Sequence, residues 1–119
     1  RIEELKLAHN VVIADATKPM EVYDKVMKIT NGKYCDVVIN NVNVPTTEMS
    51  SILITKDEGI VYFFSMATSF TRAALGAEGV GKDVTMMIGN GYTKGHAQVA
   101  LNILRESKEI RELFEKLYI

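Results

Sequence analysis

Three asparagines close together are the polar residues best placed for chemistry in this sequence. Asn40 and Asn41 directly follow the β-branched run Val37–Ile39, and Asn43 comes shortly after them. Asparagine is depleted in strands, so sheet packing does not explain three of them at one predicted strand end. Ligands bind at the carboxyl ends of strands in open α/β sheets, which predicts that Asn40 and Asn41 face a ligand crevice. For Asn43, helix capping and ligand binding are equally compatible with the pattern.

A second candidate is the glycine-rich stretch GAEGVG, at Gly76–Gly81. Phosphate-binding loops place their glycines between a strand and a following helix, in the order G-x-G-x-x-G or with a following Gly-Lys-Ser/Thr. Here the order is reversed, G-x-x-G-x-G, and the stretch precedes a predicted strand. The pattern therefore predicts an ordinary connecting loop.

Other reactive side chains lack the spacing that a site requires. Asp15 and the Lys18-Pro19 pair loosely resemble a phospho-accepting receiver domain, but a receiver carries its Lys-Pro pair on a separate strand. The two histidines and the single cysteine stand far apart in the sequence, at His9, Cys35 and His96. Without the paired spacing of zinc ligands, these residues predict no metal site.

Composition disfavours several classes of function. With 47% hydrophobic and 24% charged residues, the 119-residue chain has the composition of one globular domain. Its formal net charge of -1, without a Lys/Arg cluster, disfavours a nucleic-acid partner. No apolar run reaches the roughly 20 residues that cross a bilayer. The single cysteine has no internal disulfide partner, so we expect the protein in the reducing cytoplasm.

Alternating strands and helices are predicted to position these residues. Buried strands are predicted at Val11–Ala14, Val37–Ile39, Ile60–Ser65 and Val84–Ile88. Helices are predicted over Arg1–Ala8, from Pro19 to a stop at Asn31-Gly32, from about Pro45, and over Phe70–Leu75. A last helical region is predicted to break near Ser107, so that about 107–119 is a separate terminal helix. The alternation predicts a three-layer, Rossmann-like α/β fold with an incomplete parallel sheet of about four strands.

The run from Val11 to Gly91 resembles the second part of the cofactor-binding domain of the medium-chain dehydrogenase/reductase superfamily. The similarity rests on NGKYCDVVINNVNVP, DEGIVYFFSM and DVTMMIGNGY. The longer runs FFSMATSFTRAALGAEGVGKD and MMIGNGYTKGHAQVALNILRES extend the resemblance over essentially the whole chain. The chain departs from the family pattern at four positions, where the family usually has an acidic residue, a small residue and two glycines: Asn40, Asn41, Asn43 and Ser65.

This resemblance implies an enzyme that uses NAD or NADP to oxidise an amine-bearing carbon of a diamino acid, releasing ammonia and leaving a keto acid. By position in the family pattern, seven residues are expected to border the cofactor: Asn41, Val42, Asn43, Phe64, Ser65, Met66 and Ile88. Asp15 is a weaker candidate, near the adenine end. The resemblance identifies no general base, so the catalytic residues stay open.

The resemblance also implies that the rest of the enzyme is a partner of this chain. Four parts of the family's enzymes would precede Arg1: the first strand, the glycine-rich pyrophosphate loop, the ribose-binding acidic residue and the substrate domain. We therefore expect a truncated N-terminus. We also expect no activity and no NAD binding from the chain alone. In the strand order 3-2-1-4-5-6, the chain would supply strands 3, 4, 5 and 6.

We further expect a diamino acid substrate and a homo-oligomer, and neither nucleic acid nor a membrane as a partner. The alternative hypothesis is a stand-alone α/β binding or interaction domain, receiver-like or nucleotide-binding, without catalytic activity. In that case the first two predicted strands would have to pair directly with each other.

Overall fold

The computed structural model of the chain describes residues 4–89 and 93–118. It divides into two compact units, residues 10–90 and residues 1–9 with 91–119. The described part of the first unit contains α1 (Pro19–Thr30), β1 (Cys35–Asn40), α2 (Glu48–Ile54), β2 (Thr55–Phe63), α3 (Phe70–Val80) and β3 (Thr85–Ile88). The second unit contains α4 (His96–Glu106) and α5 (Lys108–Tyr118). None of these helices, as far as they are described, has the length and hydropathy to cross a membrane.

The strands form one parallel sheet in the order β1-β2-β3. Asn40 pairs with Phe63, and Phe63 pairs with Ile88, so the carboxyl ends of the strands meet at one edge. Parallel neighbours need a crossover connection, and α2 and α3 lie in the two crossovers. The predicted fold class, an α/β protein with an incomplete Rossmann-like parallel sheet, is confirmed.

Helices cover one face of this sheet within residues 10–89. Ile52 of α2 and Ala73 of α3 pack with Val61 and Phe63 of β2 in a buried core. Side chains alternate between the two faces along a strand, so the neighbours of these residues lie on the opposite face. The opposite face carries exposed apolar side chains: Val37 (55% exposed), Ile39 (62%), Ile60 (39%) and Met87 (49%). Parallel sheets are normally covered on both faces, so this face has the composition of a buried surface.

The strand predicted at Val11–Ala14 is wrong. These residues form an irregular segment, and the Ile13 side chain is 85% exposed. A strand needs a neighbour for its backbone hydrogen bonds, and no described residue forms a ladder with this segment. The helix predicted over Arg1–Ala8 is also wrong in its described part, because residues 4–8 form turns and bends. The first three residues of that prediction lie outside the described residues.

The helix predicted from Pro45 starts later, at Glu48, where α2 begins. Thr46 has a left-handed backbone with φ of 71°, which cannot continue into a right-handed helix. Thr47 is the N-cap residue of α2, so the hypothesis that Asn43 caps this helix is wrong. The left-handed turn at Thr46 therefore separates the end of β1 from α2.

The glycine-rich stretch predicted as a loop is largely helical. α3 runs from Phe70 to Val80, and Gly81, with φ of 66°, ends it as a left-handed C-cap. Gly76 lies where α3 meets α2: a Cβ there would lie 3.2 Å from Ile52 Cδ1. The stretch therefore allows close packing of two helices, and it lacks the strand-to-helix position of a phosphate loop.

Two predicted helix boundaries and the terminal break are confirmed. α1 begins at Pro19 and ends at Thr30, and the left-handed residues Asn31 and Gly32, with φ of 56° and 83°, follow it. α4 and α5 are separate helices, divided at Ser107. The Ser107 Oγ accepts a hydrogen bond from the Ile110 N–H at 3.3 Å, as predicted for a residue that restarts a helix.

The turn predicted at Lys56–Gly59 is an irregularity within β2. Cys35 of β1 pairs with Thr55, whereas Val37 pairs with Ile60. The residues between Thr55 and Ile60 therefore bulge out of the ladder before regular pairing resumes. The strand predicted to begin at Ile60 corresponds to the regular part of β2.

Lys82 holds the amino end of β2 to the end of α2. Its Nζ donates hydrogen bonds to the Leu53 carbonyl at 2.6 Å and to the Thr55 carbonyl at 2.5 Å, and it lies 3.9 Å from the centre of the Tyr34 ring. Burial lowers the pKa of Lys82 from its usual value. The last carbonyls of a helix lack intrahelical donors, so Lys82 stabilises α2 at the edge opposite the strand carboxyl ends.

Replacing Lys82 with methionine is expected to lower the free energy of unfolding by about 1–2 kcal/mol, because the two carbonyls lose their charged donor. Urea unfolding followed by circular dichroism measures this loss. Lys56→Met is the matched control: the 2.9 Å ion pair between Lys56 and Asp36 is largely exposed, and its loss should change stability by less than about 0.5 kcal/mol. Equal losses in the two variants would contradict the role of Lys82.

Candidate functional site

The carboxyl edge of the sheet is the candidate site, and we call it the crevice edge. It is defined by Asn41–Asn43 after β1, Phe64–Met66 after β2, and Ile88 at the end of β3. The ladder that joins the three strand ends makes these segments neighbours. The structure thus brings the seven residues expected to border a cofactor to one edge of the sheet, while their role in binding stays a prediction.

Two asparagines at the crevice edge have exposed amide groups. Asn41 and Asn43 are exposed, and their side chains form no hydrogen bond within the described part of the chain. Each amide offers two donors and an acceptor. They can therefore bind hydroxyl, phosphate or amide groups of a ligand. This arrangement fits the ribose and carboxamide groups of a nicotinamide nucleotide.

The end of β2 contributes apolar surface to the crevice edge. Phe64 is 41% exposed and Met66 is 82% exposed, and the Phe64 ring stacks on Tyr62 with ring centres 6.0 Å apart. Ile88 at the end of β3 is 37% exposed. The Ser65 Oγ accepts the Ala67 N–H at 3.1 Å, so this hydroxyl stabilises its own loop. An apolar wall beside a few polar groups is the usual composition of a cofactor site.

Asn40 was predicted to face the crevice, but it does not. Its side chain is 5% exposed, and its Nδ2 donates to Thr47 Oγ1 and to Ser51 Oγ, each at 2.9 Å. The Asn40 Oδ1 accepts the Val42 N–H at 2.9 Å. The prediction was wrong because side chains alternate along β1, and Asn40 points to the helix-covered face, where Ser51 of α2 and the N-cap residue Thr47 supply two hydroxyl groups.

Glu48, in the first turn of α2, is a buried carboxylate that sequence reasoning missed. It is 2% exposed, and its Oε2 accepts the Ser69 N–H at 3.3 Å. Its Oε1 is also buried and has no hydrogen-bond partner among the described residues. Glutamate is common in the first turn of a helix, so its residue type gave no signal. Glu48 joins the start of α2 to the residue that caps α3, and it keeps one unused acceptor.

Asp15 lies in the irregular segment before α1. Its Oδ1 accepts hydrogen bonds from Thr17 Oγ1 at 2.6 Å and from the Thr17 N–H at 2.9 Å. These bonds hold the pKa of Asp15 below its usual value. The receiver-like hypothesis is wrong, because Asp15 follows no strand and so does not stand at a strand carboxyl end. A role for Asp15 near an adenine ring stays a prediction.

A parallel sheet with a helical layer and an accessible carboxyl edge defines the chain as a Rossmann-like α/β protein. No protein-family model matches the chain. It is 58% identical over 119 residues to an L-erythro-3,5-diaminohexanoate dehydrogenase of Acetoanaerobium sticklandii, and 61% identical over 109 residues to a protein of the same name from Fusobacterium nucleatum. These matches cover 100% and 92% of the chain but 35% and 32% of the two relatives. The chain thus spans about a third of the length of the curated relatives it matches.

Proposed function

We propose that this chain is part of an NAD- or NADP-dependent dehydrogenase of the medium-chain dehydrogenase/reductase superfamily. The proposed reaction consumes one water and one oxidised coenzyme, converts 3,5-diaminohexanoate to 5-amino-3-oxohexanoate, and releases ammonia, reduced coenzyme and a proton, as a step of lysine fermentation in the cytoplasm. The observation that carries this proposal is the identity of 58% and 61% to two dehydrogenases named for that substrate. The geometry supports it, because the exposed carboxyl edge of a parallel sheet is where dinucleotides bind.

The residues of the crevice edge have separate roles in this proposal. A bound nicotinamide coenzyme would supply the hydride acceptor for oxidation of the amine-bearing carbon of the substrate. Asn41 and Asn43 hold the ribose and nicotinamide side of the cofactor through their exposed amides. Phe64, Met66 and Ile88 form an apolar wall that excludes bulk water, and Ser65 borders the nicotinamide with its backbone N–H bonded to the Asn40 carbonyl. Orientation and exclusion of water are the contributions that a protein makes to cofactor chemistry.

The exposed face of the sheet favours the hypothesis that the chain is part of a longer enzyme over the hypothesis that it is a stand-alone domain. Val37 and Ile39 of β1 are 55% and 62% exposed, and among described residues β1 has a paired strand on one side only. Exposed apolar strands pair readily with other chains, so a stand-alone domain normally protects them. We propose that the rest of the longer enzyme covers this face and pairs with β1.

The activity of the full-length enzyme tests the proposed function. Purified enzyme with L-erythro-3,5-diaminohexanoate should reduce NAD or NADP, measured by the absorbance of the reduced nicotinamide, and should release ammonia in equal amount. L-Lysine, a diamino acid without an amine at carbon 3, is the control and should give no reduction above background. Failure to reduce either coenzyme with 3,5-diaminohexanoate would overturn the proposal.

The 119-residue chain by itself is expected to show no measurable binding of NAD or NADP by calorimetry. It supplies one wall of the proposed crevice, and binding energy is lost when half of the contacts and their preorganisation are missing. Full-length enzyme is the control and should bind at least one of the two coenzymes. Micromolar binding to the 119-residue chain would show that the crevice edge is a complete site.

A further inference from the structure

We infer that the buried Asn40 is the positioning residue of the crevice edge: it fixes the backbone at the ends of β1 and β2 without touching the coenzyme. This inference rests on the proposed function, because the backbone that Asn40 holds belongs to the segments assigned to coenzyme binding. Neither the similarity to the dehydrogenases nor the strand-end position of Asn40 assigns it this role.

The first observation is the hydrogen bonding of the Asn40 side chain. The Nδ2 donates to Thr47 Oγ1 and Ser51 Oγ on the α2 side, and the Oδ1 accepts the Val42 N–H, all at 2.9 Å. The amide is therefore anchored at one end to α2, while its other end holds the loop that leaves β1. Val42 stands between Asn41 and Asn43, so the position of both exposed amides depends on this contact.

The second observation concerns the backbone carbonyl of Asn40. It accepts hydrogen bonds from the Phe64 N–H at 3.0 Å and from the Ser65 N–H at 3.2 Å. Both donors lie just beyond the last residue of β2, at the start of the loop assigned to the nicotinamide. One residue thus contacts the backbone of three of the seven residues expected at the cofactor: Val42, Phe64 and Ser65.

Burial makes these contacts decisive for geometry. Asn40, Thr47 and Ser51 are 5%, 4% and 7% exposed, so water does not readily replace a lost partner. A buried polar group without a partner is costly, and the loop must move to find another. Binding groups lose much of their effect when they shift by about 1 Å, because affinity depends on groups held in the bound geometry.

The test uses full-length enzyme carrying Asn40→Leu, Asn40→Asp, Ser51→Ala or Lys82→Met. Leucine has a similar size but leaves Val42, Thr47 and Ser51 without their partner. Aspartate keeps the acceptor for Val42, and the two hydroxyl groups can rotate to donate to it. Lys82→Met is the control for stability, because Lys82 lies at the opposite edge of the sheet and contacts no residue of the crevice edge among its described bonds.

Coenzyme dissociation constants from calorimetry, at a temperature where every variant is folded, should separate the variants. Asn40→Leu is expected to weaken binding about tenfold, the effect of losing roughly one buried hydrogen bond, and Ser51→Ala about threefold. Asn40→Asp should stay within about threefold of wild type, and Lys82→Met within about twofold. In steady-state kinetics, Asn40→Leu should raise the KM for coenzyme by more than it lowers kcat.

Three outcomes would overturn the inference. The first is wild-type affinity for the coenzyme in both Asn40→Leu and Ser51→Ala. If Asn40→Leu does not fold, wild-type affinity in Ser51→Ala is sufficient to overturn the inference. An equal loss of affinity in Lys82→Met is the second, because it would show a general effect of stability. The third is a wild-type enzyme that binds neither coenzyme, and only this outcome also overturns the proposed function.

Discussion

Replacing Phe63 with alanine should remove about 3–5 kcal/mol from the free energy of unfolding, the usual cost of emptying a buried aromatic site. Phe63 is fully buried in the central strand β2, against Ile52 of α2 and Ala73 of α3. Small domains have a total free energy of unfolding of only about 5–15 kcal/mol, so this single change removes a large fraction of it. Urea unfolding of the protein, followed by circular dichroism, measures the loss.

Phe64→Ala is the matched control, because the same substitution is made one residue further along. Phe64 is 41% exposed, and its ring stacks on Tyr62, on the face opposite Phe63. In the 119-residue chain we expect a loss of about 1 kcal/mol or less from this partly exposed site. Similar losses in the two variants would contradict the division of the sheet into a covered and an exposed face.

The second large effect is expected at Gly59, in the bulge of β2. A Cβ added there would lie 2.9 Å from the Lys56 carbonyl oxygen, 3.0 Å from the Asp36 carbonyl oxygen and 2.8 Å from Thr55 Cγ2. Two of these atoms belong to the backbone and cannot turn aside as a long side chain can. Gly59→Ala is therefore expected to lower the free energy of unfolding by about 2–3 kcal/mol, as overpacking of a buried site does.

Gly79→Ala is the same substitution at a site where we expect stability to rise. Gly79 lies within α3, and a Cβ there meets no atom within 4 Å. Alanine favours a helix over glycine by about 0.5–1 kcal/mol, so this variant should be more stable than wild type. Thermal unfolding of the two variants and of wild type measures the expected loss of stability at Gly59 and the expected gain at Gly79 in one experiment. A loss at Gly79, or no loss at Gly59, would contradict the packing around these glycines.

Much of the crevice edge could be predicted from the sequence, but the direction of its side chains could not. The run Val37–Ile39 and its asparagines correctly indicated a strand of a parallel sheet and its carboxyl end. Whether an asparagine faces a ligand or a helix depends on the strand register and on which neighbours cover each face. Asn41 and Asn43 are exposed as expected, while Asn40 is buried against α2. Glu48 was missed for the same reason, because its burial depends on α3.

The sequence by itself determined the elements whose causes are local. The strand run at Val37–Ile39, the Pro19 start and Asn31-Gly32 stop of α1, and the restart at Ser107 depend on nearby residues, and all four are found in the structure. Only the tertiary structure decided features that depend on distant neighbours. Val11–Ala14 forms no strand without a partner to pair with, and Gly76 of α3 lies at a close contact with Ile52 of α2. Asn40 holds the crevice edge because Thr47 and Ser51 accept its side-chain hydrogen bonds. Local rules choose a residue's conformation, but its hydrogen-bond partners and its burial are set by the chain segments that fold against it.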